Sequence, residues 1–107
     1  MKPISDKAEV SIDFPEKAYM GSFGRNSAFE VQATADEVLL KLRHAHGERR
    51  EFAMHLHYYL LADILGDLAA GLENLPPLDE PHRAELARAS EALASALKKT
   101  GGGKSGA

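Results

Sequence analysis

Apolar and polar residues alternate along two neighbouring runs in the middle of the chain. Val38, Leu40 and Leu42 take every second position of the first run, and Phe52, Met54, Leu56 and Tyr58 of the second. A period of two sends successive side chains to opposite faces of a strand. Gly47 lies between the runs, so the pattern predicts a β-hairpin with strands over 38–45 and 49–57. Its register follows from burial. The two apolar sets must share a face, which puts Leu42 opposite Phe52, Leu40 opposite Met54 and Val38 opposite Leu56. That pairing needs an odd-numbered loop, most simply His46-Gly47-Glu48, and it sets Arg43 opposite Glu51 on the outer face. A helical alternative stays open for 35–57, because Phe52, Leu56, Leu60, Ile64, Leu68 and Leu72 recur every four residues.

The same period marks earlier strands. Val10, Ile12 and Phe14 alternate with Ser11 and Asp13 until Pro15, giving a strand over 10–14. AYMGSF at 18–23 reads as a short strand or a loop, and GRNS at 24–27 as a turn. Phe29, Val31 and Ala33 define a strand over 28–34. Thr34-Ala35-Asp36-Glu37 fits both a helix capping box and a hairpin turn. Residues 1–9 have no periodicity and read as a flexible polar arm.

From Tyr58 the period changes. Leu60, Leu61, Ile64, Leu65, Leu68 and Leu72 predict a helix over 58–74, stopped by Pro76 and Pro77. Asp79 reads as the N-cap of a second helix over 80–99, alanine-rich and ending at Lys98 and Lys99. A flexible Gly-rich tail is expected over 100–107. The fold class is therefore α+β: an antiparallel meander of three to five short strands, then a two-helix hairpin packed on one sheet face.

Composition narrows the picture. A chain of 107 residues makes one domain with a modest core, and small cores favour self-association. No cysteine is present, which removes disulfides, thiolate nucleophiles and cysteine metal sites. No apolar run is long enough to span a bilayer, and no apolar stretch follows Lys2 as a leader would require. The expected location is cytoplasmic. A formal charge of −3 argues against coating a nucleic acid, leaving only a local basic patch for that purpose.

Candidate chemistry is sparse. His55 and His57 share a strand face, and Asp63 on the next helix is a third weak candidate for a metal. Protein zinc sites take three or four ligands, and His44 and His46 point elsewhere, so no metal or cofactor is expected. Arg25 in the 24–27 turn, with Lys41, Arg43, Arg49 and Arg50 on the hairpin, is the candidate set for an anion or a nucleic acid. The Gly-Lys-Ser at 103–105 ends like a phosphate loop, but Lys98 stands where the pattern requires glycine. No serine has a base beside it and no catalytic residue stands out. Tyr19, Tyr58, Tyr59, Leu61 and Leu65 exceed what one small sheet can cover, and they mark an interface. The functional expectation is a non-enzymatic protein–protein interaction module, a homodimer or the partner of another protein. A nucleic-acid-linked regulator using the basic hairpin 41–50 and a small-ligand or metal-binding protein stand as alternatives.

Overall fold

A computed structural model describes residues 1–44 and 49–105, with Thr100–Ser105 as backbone alone. The chain forms an antiparallel sheet followed by two helices. The strands are β1 (Lys2–Pro3), β2 (Ala8–Asp13), β3 (Ala18–Phe23), β4 (Ser27–Ala33), β5 (Glu37–His44) and β6 (Arg50–His57). The helices are α1 (Tyr58–Glu73) and α2 (Glu80–Ser105). They divide into two compact units, Met1–Gly66 and Asp67–Ala107, with the boundary inside α1.

Strands β4, β5 and β6 form the meander, and β1 adds to the far side of β4, giving the order β1-β4-β5-β6. The hairpin register is the one that apolar pairing demands. Leu42 pairs with Phe52, Leu40 with Met54, Val38 with Leu56 and Arg43 with Glu51. The loop expected at His46-Gly47-Glu48 lies outside the described residues. On β4, Phe29 opposes Leu42, Val31 opposes Leu40 and Ala33 opposes Val38, so one face is apolar across all three strands. The other face carries Glu30, Lys41, Arg43, Glu51, His55 and His57.

The turn between β4 and β5 settles the ambiguity at Thr34. Its hydroxyl accepts from the Asp36 and Glu37 amides at 3.3 and 3.1 Å, and its own amide donates to the Glu37 carbonyl at 2.9 Å. The bond from the Glu37 amide to the threonine hydroxyl is the one a capping box would make; here it closes a hairpin instead.

Two features differ from the sequence pattern. The N-terminal residues read as an arm are partly engaged. Lys2 and Pro3 pair with Phe29 and Ala28, the Ile4 amide donates to the Ser27 carbonyl at 3.0 Å, and β2 begins at Ala8. Two residues paired through main chain alone leave no hydrophobic period to read. The Gly-rich stretch read as a tail continues α2 to Ser105, against the low helix propensity of its glycines.

Strands β2 and β3 form a separate ribbon, with Glu9 opposite Ser22 and Ile12 opposite Tyr19. Phe14 and Lys17 exchange main-chain bonds at 2.9 and 3.2 Å around Pro15-Glu16, a turn that proline favours. The ribbon delivers Phe23 to the interior at 3% exposure, and the sheet delivers Leu42 at 8%. Among the described residues, Ser27 is the buried polar one. Its amide donates to the Gly24 carbonyl at 2.8 Å, and its hydroxyl lies 3.3 Å from His44 Nδ1.

Candidate functional site

The expected site residues fall into three places on the first unit and on α1. The basic set comes first. Arg43 reaches across to Glu51, donating from Nε at 2.9 Å and Nη2 at 2.7 Å to one carboxylate oxygen. The Arg43 guanidinium, by hydrogen bond and by charge, holds the Glu51 carboxyl below its ordinary range, and Lys41 and Arg49 add smaller pulls. Lys41 stands opposite Glu30 on the same face. Arg25 is exposed on the 24–27 turn, where the Ser27 amide is already engaged by Gly24 and is not turned toward an anion. Two of the expected phosphate contacts, Arg43 and Lys41, thus stand opposite carboxylates.

Histidines come second. His55 and His57 do share the outer face of β6, and the carboxylate between them is Glu37, not Asp63. His55 Nδ1 donates to Glu37 Oε2, and His57 Nε2 lies 3.7 Å from Oε1. A carboxylate only accepts, so this contact fixes the His55 proton on Nδ1. Glu37 was open to discovery from sequence. Extending the register one step beyond Val38 and Leu56 places it opposite His57. Among the described residues, no group of three or more His, Cys, Asp or Glu is disposed to hold a metal ion.

Apolar residues come third. Tyr59 is 94% exposed and Tyr19, Tyr58 and Leu65 are also exposed, while Leu61 is half-buried. Tyr58 and Tyr19 have duties within the chain. The Tyr58 hydroxyl donates to the Thr34 carbonyl at 2.7 Å. Tyr19 packs edge-on against Phe14 with ring centroids 6.1 Å apart, and Lys17 Nζ lies 5.1 Å from the centre of its ring. Met20, 84% exposed, has no signal in the sequence pattern, and Leu60, Ile64 and Leu68, expected on one wide apolar face of the helix, each keep about half their surface open. Their four-residue spacing was the visible signal; it shows a common stripe but not whether anything covers it.

A cleft of about 330 Å³ lies between the ribbon and the start of β6. Ile12, Tyr19, Met20, Phe23 and Phe52 form its apolar wall, and Arg49, Arg50 and Glu51 its charged rim.

Among the described residues, no helix is long and apolar enough to cross a membrane. Comparison with models of protein families, with curated proteins and with solved structures yields no match for this chain.

Proposed function

We propose that the protein is a non-enzymatic protein–protein interaction module that works as a cytoplasmic homodimer. The observation that carries this reading is the open stripe on α1. Leu60, Ile64, Leu65 and Leu68 lie on adjoining turns and all are exposed. A contiguous apolar stripe on water is costly, and burial against a second chain is its commonest resolution. The cysteine-free sequence is compatible with a reducing compartment. A native mass spectrum beside a denatured one tests the reading. The expected species has twice the chain mass, and Ile64→Glu returns it to a single chain. A single-chain mass at every concentration would sink the proposal.

A second reading is small-ligand binding in the ribbon cleft, favoured by its volume and by apolar walls next to arginines. The class of ligand it suits is a compact apolar molecule with one anionic group. A retained small-molecule mass in the native spectrum, lost in Phe52→Ala, is the result that would support it.

A further inference from the structure

We infer that two copies of this chain pair through β6, edge to edge and antiparallel, with Met54 opposite Met54 at the two-fold axis. This rests on the self-association proposed above and adds to the α1 stripe a separate, main-chain contact between the copies. The starting point is an unguarded edge. Strand β6 ends the sheet, and among the described residues its strand neighbour is β5 alone. Exposed edges usually carry a proline, a lysine or a bulge that prevents strand addition. The stretch Glu51–His57 contains neither residue, and it pairs with β5 one for one without a bulge. The opposite edge of the sheet is treated differently, since Pro3 and Lys2 lie along the first part of β4.

Register selects the partner. Two β6 strands must meet with like faces aligned, which permits only alternate registers. Centring the axis on Met54 places Phe52 of one copy opposite Leu56 of the other, so the inner face pairs apolar with apolar along its length. On the outer face it places Glu51 opposite His57 and Ala53 opposite His55. Each end of the junction then joins a carboxylate to an imidazole, twice over by symmetry. Centring on Ala53 instead would set Arg50 against Leu56, a charge beside an aliphatic group on the apolar face. Centring on Met54 is the register that also joins the Glu51 carboxylate to the His57 imidazole, and the occupant it fits is a second copy of this chain.

The absence of native cysteine makes the test clean. Residues directly opposite in an antiparallel pair have Cα atoms roughly 4.5–5.5 Å apart, within disulfide reach. Met54→Cys alone, mildly oxidised at concentrations where the native spectrum shows a dimer, is expected to cross-link to near completion. Glu51→Cys alone is expected to stay unlinked, because the two copies of residue 51 stand about 20 Å apart along the strands. Glu51→Cys mixed with His57→Cys, both on the exposed outer face, is expected to link. That second pair keeps the test valid should Met54→Cys disturb folding. A dimer in which neither Met54→Cys nor the mixed pair links would overturn the edge pairing and leave self-association standing. A dimer in which Glu51→Cys links alone as fast as Met54→Cys would overturn the register. A monomer would overturn both readings.

Discussion

The hydroxyl of Tyr58 lies 2.7 Å from the carbonyl oxygen of Thr34, so the first residue of α1 is tied to the turn between β4 and β5. The bond joins positions 24 residues apart and fixes where the helix leaves the sheet. Tyr58→Phe removes the donor and keeps the ring. The expected loss is at the low end of about 0.5–1.5 kcal/mol, since water can replace the lost donor at this exposed carbonyl. Urea denaturation measures it, and Thr34 and Asp36 amides should exchange faster in the variant. Unchanged exchange at both would show that the bond does not hold the turn.

Arg43 makes Glu51 a stronger acid, which gives a signed pH dependence. The depressed carboxyl stabilises the fold above the pKa it has in the unfolded chain, and that contribution disappears as pH falls through its lower, folded value. Carboxyl-detected NMR should find the Glu51 midpoint below that of an ordinary glutamate. Arg43→Gln should raise it. An unmoved midpoint would mean that the ion pair is not populated in solution.

Burial separates two sets of apolar residues. Leu42→Ala should cost about 2–5 kcal/mol and Phe23→Ala about 3–5 kcal/mol, because both are enclosed. Tyr59→Ala, at an almost fully exposed position, should stay within about 0.5 kcal/mol when the chain is dilute. A loss at Tyr59 that grows with protein concentration would place that ring in the contact between copies.

Asp79 caps α2. Its carboxylate accepts from the His82 amide at 3.2 Å and from His82 Nδ1 at 2.6 Å, and its carbonyl takes the first helical bond from Arg83 at 3.0 Å. The amide bond, with the histidine side chain next, lowers its pKa. Asp79→Ala should fray the first turn, seen as loss of helical chemical shifts over 80–83. Acidification through the depressed carboxyl range should do the same in the natural chain, because a protonated cap accepts more weakly.

Gly66 and Gly71 lie in α1 with nothing within 4 Å of where a Cβ would be. Alanine at either should raise stability by about 0.5–1 kcal/mol, read as a higher Tm. A fall in Tm at either position would reveal that a backbone approaches there in the assembled state.

The elements differ in how far they can be read from the residues alone. The β5–β6 register is legible because Leu42, Leu40 and Val38 each have one apolar partner that keeps the faces separate. Thr34-Glu37 is not legible, because the same hydroxyl–amide bond serves a helix start and a hairpin turn, and only the pairing of Ala33 with Val38 distinguishes them. β1 leaves no trace, being two residues held by main chain. Glu37 beside the histidine pair is within reach through the register, which sets it opposite His57, although Asp63 is nearer to His57 in sequence. On α1, periodicity identifies a shared stripe of Leu60, Ile64 and Leu68 without revealing what lies against it.

The short pairing of Lys2 and Pro3 with β4 bears on how large an assembly can become. A sheet with two open edges can add subunits at both ends and grow into a fibre. Proline offers no donor and lysine resists a neighbouring strand, so the β4 edge is a poor place for addition. With addition disfavoured along the first part of that edge, the pairing proposed at β6 favours a pair of copies over a longer stack. Under the proposed pairing, deleting Lys2 and Pro3 is expected to endanger solubility more than stability, because it opens a second edge to strand addition.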